Sequence, residues 1–194
     1  MSSTTFYVRQ AKLQDLQAIL EIEAESFPGF EESPEVFAER LQVFVEGFLV
    51  GYLGDKLVGY VCSELWNWNE GDDLARFAVG HSPAALHNIN GKMVYISSIA
   101  IASSQQGKGL GLTLLLSFLE NILNLKPDLH SVLLFVGEHW IAARSLYQKI
   151  GFSVVAEIPA GEWNNGLVQL GKGLVMKLDR VDLNPEKFRK LIVK

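Results

Sequence analysis

The sequence predicts a mixed α/β (α+β) domain, one central mixed sheet flanked by helices. Three observations carry that expectation. Segments with strand and helix patterns follow one another in the order βααβββαβαβ, with one more strand near the end, which suits one sheet with covering helices. The 194 residues suit one domain spanning 1–194, because a chain of this size buries roughly 70% of its unfolded surface in a single core. Apolar residues make up 48% of the chain and the net charge is only −5, which excludes a disordered polymer.

Each element has its own signal. Phe6-Tyr7-Val8-Arg9 reads as a short first strand. Leu13, Leu16, Ile19, Leu20 and Ile22 follow at near-helical spacing, predicting a helix from Leu13 to Ser26 that Pro28-Gly29 breaks. Ser33-Pro34-Glu35 supplies an N-cap, a proline at the first helical position and an acid in the first turn, so a second helix runs to about Val45. Phe48–Leu53 and Leu57–Cys62 flank Gly54-Asp55-Lys56 as a hairpin. Trp66 to Lys92 is a long aromatic and polar insert without a period, and loops of that length are usually functional or mobile. Met93–Ile101 is a strand, and Leu110–Leu125 a strongly apolar helix stopped before Pro127. Ser131–Val136 is a strand, Trp140–Ile150 a helix ended by Gly151, and Phe152–Ile158 and Leu174–Leu178 the last strands. Pro185–Val193 closes the chain as a short helix.

Composition narrows the function classes. No apolar run approaches the about 18 residues of a spanning helix, and the start MSSTTFYVRQ lacks a basic segment followed by an apolar one. Cys62 is alone, which excludes an intramolecular disulfide and makes a reducing, cytoplasmic location the default. The four histidines lack metal-ligand spacing, so no metal is expected. Charge is unevenly spread: Asp15 to Glu39 holds eight acids and no base, leaving the remainder net positive by three. No basic stripe marks a nucleic-acid partner.

The strongest local signal is Gln105-Gln106-Gly107-Lys108-Gly109-Leu110-Gly111, between a strand and a helix. Glycines let the backbone approach a ligand without a Cβ clash, and a helix N-terminus favours an anion, so a phosphate is the natural guest. Lys108 adds a positive charge. A nucleotide P-loop would need Ser or Thr after the lysine, where Gly109 stands. A dinucleotide fingerprint would need its last glycine where Leu114 stands. The bland alternative is a tight structural turn.

The Q-x-x-G-x-G pattern of Gln106, Gly109 and Gly111 resembles the acyl-CoA pyrophosphate loop of the GNAT superfamily of N-acetyltransferases. Ala143-Arg144-Ser145-Leu146-Tyr147, continuing to Gly151-Phe152, is similar to that superfamily's A-x-x-L-Y-x-x-x-G-F motif, in the right order and separation. Glu25-Ser26-Phe27-Pro28, His81-Ser82-Pro83 and Ile96–Ile101 resemble its arylalkylamine N-acetyltransferase-like branch. Tyr95 and Ser97 stand where that branch carries proton-relaying histidines, and Trp140 where many members carry asparagine.

The resemblance implies the GNAT-type acyl-CoA N-acyltransferase fold and acetyl-CoA as cosubstrate. It implies that the strand residues Ile99, Ala100 and Ile101 contact the pantetheine arm through their backbone. The pyrophosphate would then lie on Gln106, Gly107, Lys108, Gly109, Leu110 and Gly111, with Arg144 and Tyr147 completing the cofactor contacts. Tyr147 stands at the position of the family's general acid, which protonates the leaving thiolate. Acetylating an alkylamine also needs a proton acceptor, since only roughly one part in a thousand is neutral at pH 7. Glu64, Glu138, and Tyr95 with Ser97 through water are the candidates, although base rates for glutamates favour reading Glu64 as a solvated strand end. Trp66, Trp68 and Trp163 could wall an acceptor pocket or plug the core.

The expected activity is direct acetyl transfer in a ternary complex to a primary amine of a small acceptor. The alternatives are protein N-terminal acetylation, which wants a groove, and a non-catalytic CoA-binding sensor on the same fold. By the resemblance, the loop Ser26 to Ser33 borders the amine side, inside the acidic stretch. That stretch is either a solvated face or a field drawing a cationic acceptor. Expected partners are the small-molecule amine and, as one option, a second copy in a homodimer, with no nucleic acid and no membrane.

Overall fold

The computed structural model describes residues 5–163, 166, 168–184 and 186. The expected terminal helix Pro185–Val193 lies outside the described residues, apart from Glu186. Seven strands form one sheet: β1 (Phe6–Gln10), β2 (Leu49–Leu53), β3 (Lys56–Trp66), β4 (Met93–Ile101), β5 (Ser131–Gly137), β6 (Ser153–Ile158) and β7 (Gly173–Asp179). Their order across the sheet is β1-β2-β3-β4-β5-β7-β6. The helices are α1 (Leu16–Ser26), α2 (Pro34–Val43), a single turn α3 (Pro83–Leu86), α4 (Leu110–Leu125) and α5 (Ile141–Ile150). This is the mixed sheet flanked by helices that the sequence predicts.

β4 and β5 are parallel, and α4 makes the crossover that a parallel pair requires. Every other neighbouring pair is antiparallel. The last strand among the described residues, β7, inserts between β5 and β6. Alternation along β3 divides the core. Val61 and Leu65 join Leu114, Leu115, Phe118 and Leu119 of α4 on one face. Tyr60 and Cys62 join Ile19 and Ile22 of α1 and Phe37 of α2 on the other. Fully burying such side chains stabilises by about 1.5–3 kcal/mol each.

Several expectations shift at their ends. Leu13–Asp15 forms a 3-10 turn before α1, because the Asp15 carboxylate accepts the Lys12 amide at 2.8 Å and two nitrogens of Arg9 at 2.7 Å. α2 stops at Val43, two residues short of the expected end, and Val45–Gly47 forms another 3-10 turn. Ser33 sits at the N-cap in extended conformation before Pro34, although its side chain makes no capping hydrogen bond. β3 runs on to Trp66, so Glu64 lies inside a strand and is fully buried. The solvated strand end is thereby corrected. The insert after β3 is built around a 3-10 turn at Leu74–Phe77 and the turn α3, and it is pinned to the core by Trp68 and Phe77.

Candidate active site

The sheet opens where two irregularities of β4 coincide. Its parallel pairing with β5 covers only Met93–Ile96 against Ser131–Leu134. On the other edge, the register against β3 slips between Cys62 and Ser63: Ser98 faces Cys62, but Ile96 faces Ser63, leaving Ser97 as a bulge. A bulge bends its strand and sharpens the local twist. Beyond Ser97, the edge of β4 that faced β5 is therefore unpaired with it, while Ile99, Ala100 and Ile101 still pair with β3. That edge presents backbone groups for an added extended ligand.

Two cavities meet at this opening. The larger, about 620 Å³, runs along Ile99–Ile101 to the glycine loop and the first turns of α4 and α5. Gln106, Gly107, Gly109, Leu110 and Gly111 all line it. Gly107 and Gly109 have φ of +74° and +79°, a region other residues rarely adopt. Gly109 is the N-cap of α4, whose first amides have no partner within the helix. Gly111 has no such backbone demand, and a Cβ there would meet only Ile101 Cγ1 at an ordinary 3.6 Å. The loop thus keeps its third glycine without a packing reason, as close approach of a ligand would require. Gln106 donates from Nε2 to the Ile101 carbonyl at 3.0 Å, tying the loop to the strand end.

Two expected contributors stand apart. Lys108 folds its ammonium back on its own loop, 2.8 Å from Gln105 Oε1 and 3.3 Å from the Ser104 carbonyl. Arg144 donates to the Glu138 carbonyl at 2.8 Å, bracing the β5–α5 turn. Neither side chain lines the large cavity.

The smaller cavity, about 120 Å³, is a chamber on the α1 side. Phe27, Ile99, Trp140, Ala143 and Tyr147 line both cavities and form their junction. Phe30, Phe77 and Phe135 add aromatic walls, and Trp163 stacks behind Phe30 with ring centroids 5.9 Å apart. Trp66 and Trp68 lie beneath in the core; Trp66 stacks on Tyr95 at 4.0 Å. The aromatic wall of the chamber is therefore phenylalanines, Tyr95, Tyr147 and Trp140, not Trp66 or Trp68. Tyr95 and Ser97 both line the chamber, and Ser97 Oγ donates to the Cys62 carbonyl at 3.2 Å. Burial pushes the Tyr147 and Tyr95 hydroxyls well above the usual phenol range, so both keep their protons at neutral pH.

Among the described residues, three acidic or basic side chains line this chamber: Glu23 of α1, Glu32 of the loop after it and His81 of the insert. Glu64 does not line it but supports His81, which does: His81 Nε2 lies 2.9 Å from Glu64 Oε1, and its Nδ1 lies 3.1 Å from the Ala78 carbonyl. Burial opposes the Glu64 charge, yet His81, Arg40 and the Trp66 indole together hold its carboxyl below the ordinary carboxylate range. Glu138 lies in the turn after β5, where its Oε2 accepts the Lys172 amide at 3.1 Å. It is not part of the chamber.

Sequence reasoning missed Glu23 and Arg40, and placed Glu32 only as one acid of the loop bordering the amine side. Glu23 is buried at the chamber and accepts hydrogen bonds from the Tyr60 hydroxyl, the Glu32 amide (3.2 Å) and Ser98 Oγ (3.4 Å). Glu32 lines the chamber too, paired with both terminal nitrogens of buried Arg40, and it accepts the Gly80 amide at 3.3 Å. The signal was present: Glu23 sits beside Ile19 and Ile22 on the buried stripe of α1, and Arg40 three residues after Phe37 on that of α2. The acidic stretch divides accordingly. Two of its acids face the chamber, while Asp15, Glu25, Glu31 and Glu39 are engaged with neighbouring donors.

A family model described as the Acetyltransferase (GNAT) family matches residues 16–152, which include both cavities' shared walls. The chain belongs to the GNAT family. This protein is an acetyl-CoA-dependent acetyltransferase, and the open strand edge, glycine loop and free helix amides fit that cosubstrate. Among solved structures, the acetyltransferase is similar to the GphF GNAT-like decarboxylase in complex with isobutyryl-CoA, at 17% identity and a TM-score of 0.74, covering 92% of this chain and 100% of that one. The ribosomal-protein-S18-alanine N-acetyltransferase from Escherichia coli matches at 17% identity and 0.67, covering 90% and 94%. The yncA structure from Salmonella typhimurium, with its cofactor acetyl-CoA, matches at 20% identity and 0.62, covering 90% and 93%. At such identities the likeness establishes the fold alone. No curated protein matches the sequence. Among the described residues, no helix is long and apolar enough to cross a membrane.

Proposed function

We propose that this acetyltransferase transfers the acetyl group directly to a primary amine of a small acceptor held in the aromatic chamber. The observation that carries this reading is the junction: Tyr147 and Trp140 line both cavities, so a thioester in one and an amine in the other meet there. Holding both reactants in that geometry supplies much of the acceleration. No covalent acetyl-enzyme is required, and Cys62 is unsuited to forming one: burial pushes its thiol up to about 12.

Ile99 and Ile101 would hold the pantetheine arm by their backbone on the free edge, while the Ala100 backbone, in step with Ala102, is turned to β3. The pyrophosphate would lie on the amides from Gln106 to Gly111. Lys108 would contribute only by unfolding from its loop contacts, and Arg144 by shaping the turn before α5. Tyr147 retains its proton and would deliver it to the leaving sulfur, whose ordinary pKa is about 8.5.

A small acceptor is favoured over a peptide by the chamber's closure. Glu32 accepts the Gly80 amide, and Ser82 Oγ donates to Glu39 at 3.2 Å, so the α1–α2 loop and α2 are tied to the insert whose Ala78, Val79 and His81 line the chamber. The aromatic walls favour an amine with an apolar body, in keeping with the arylalkylamine-like segments of the sequence. Thiol release from acetyl-CoA, measured against arylalkylamines, polyamines and short peptides, tests this. The expected result is turnover with small amines at least tenfold faster than with any peptide. Faster turnover of a peptide N-terminus would replace the small acceptor with a protein one.

A further inference from the structure

We propose that Glu23 is the catalytic residue that takes the proton from the acceptor's ammonium group, and this rests on the small-amine reading above. The described titratable groups lining the chamber are Glu23, Glu32, His81, Tyr95 and Tyr147, and four of them are otherwise committed. Glu32 is committed to a two-point pair with Arg40. Both His81 nitrogens are aimed at oxygens, the Ala78 carbonyl and the Glu64 carboxylate, so neither is directed at an amine in the chamber. Tyr95 and Tyr147 hold their protons too firmly to act as bases at neutral pH. Glu23 is left, a carboxylate without an ion-pair partner within contact, at the wall of the cavity.

Its surroundings suit the task. An ionised carboxylate offers about four lone-pair sites, and Tyr60, Ser98 and the Glu32 amide use three, leaving one for an ammonium. Tyr60 and Cys62 of β3, Ser98 of β4, Glu32 of the α1–α2 loop and Arg40 of α2 are the titratable, polar and charged groups that face it. Burial raises its pKa and the Glu32 charge adds to this; the Tyr60 hydroxyl, the Glu32 amide and Arg40 oppose it, and the net shift is upward. A base raised toward neutrality is better matched to proton transfer at working pH.

The step balances. The ammonium gives one proton to Glu23, and the freed lone pair forms a C–N bond to the thioester carbonyl carbon. The C–S bond breaks with its electron pair on sulfur, which takes the Tyr147 proton. The second proton lost by nitrogen restores Tyr147, and Glu23 releases its own to solvent. The products are the amide, the free thiol and one proton.

The test is the pH profile of kcat/KM, with acetyl-CoA and the best amine of the panel, for wild type, Glu23→Gln and Tyr60→Phe. Wild type should show an acidic limb well below the amine's own titration near pH 10. Glu23→Gln should lose about 10²-fold or more in kcat and lose that limb. Tyr60→Phe removes a donor that favours the charged carboxylate, so it should move the limb to higher pH. Stability gives a second readout. A carboxyl whose folded pKa is raised costs stability as pH rises through the window between its unfolded and folded values. Glu23→Gln should thus melt higher than wild type at pH 8, with the gain shrinking by pH 4. A wild type that transfers to amines alongside a Glu23→Gln variant within threefold in kcat and with the same limb would overturn the assignment and leave the small-amine reading standing. A wild type that acetylates no small amine would overturn both.

Discussion

The two cavities are made of different materials. One side of the larger is main chain, the unpaired edge of β4, the amides of the glycine loop and the first turn of α4, facing side chains such as Phe27, Trp140 and Leu146. The smaller is built from side chains that four separated segments bring together, Glu23 from α1, Glu32 from the following loop, His81 from the insert and Tyr147 from α5. A backbone site recognises what all its ligands share, here an extended arm and a phosphate. A side-chain chamber recognises one acceptor, and each of its members depends on the others for its charge state. The larger cavity should therefore yield to one local change with little cost to the fold, whereas the charged lining of the smaller should not.

The largest expected effect tests that interdependence. Arg40 is 1% exposed and faces Glu32 and, at 3.7 Å, Glu64. Replacing it with Met leaves two buried carboxylates short of a partner, and breaking a buried pair in this way costs about 3–5 kcal/mol. Urea unfolding of Arg40→Met should show that loss. A loss under about 1 kcal/mol would mean that solvent reaches the chamber and that its charges are independent.

The next effect is on the backbone side. Acetyl-CoA at 100 times its Kd should stabilise the wild type by about 2.7 kcal/mol. Gly109→Val should abolish that protection, while the left-handed conformation costs the unliganded fold only about 1–2 kcal/mol. Thermal melts with and without acetyl-CoA measure both. Equal protection in wild type and variant would move the phosphate off the loop.

The same contrast governs what could be read from the sequence. The glycine loop and the Ala143–Phe152 segment were legible because main-chain geometry is dictated by adjacent residues: positive φ at Gly107 and Gly109 leaves its mark at fixed spacing. α4 was legible to the residue, from Leu110 to Leu125, because its apolar pattern is long and Pro127 bounds it. The chamber was not legible, since Glu23, Glu32 and His81 are neighbours only after α1, the loop and the insert pack on β3 and β4. Charge made it harder still: eight acids without a base suggested one uniform face, and the cation that neutralises Glu32 stands one residue beyond the stretch, at Arg40. Glu64 was noticed, but its role behind His81 depends on how far β3 runs and on where the insert returns.

The central claim is that chemistry takes place where the two materials meet, at the Tyr147 hydroxyl. Tyr147→Phe removes one oxygen atom from that junction and leaves the ring packed near Phe152, with centroids 5.8 Å apart in the native fold. Single-turnover kinetics with saturating acetyl-CoA and a small amine, paired with a binding titration of acetyl-CoA, measures the claim directly. The account predicts a chemical step slowed by about 10²-fold or more at unchanged acetyl-CoA affinity, because a general acid is lost and a binding contact is not. An unaltered chemical step in the variant would contradict it and reduce Tyr147 to a packing residue.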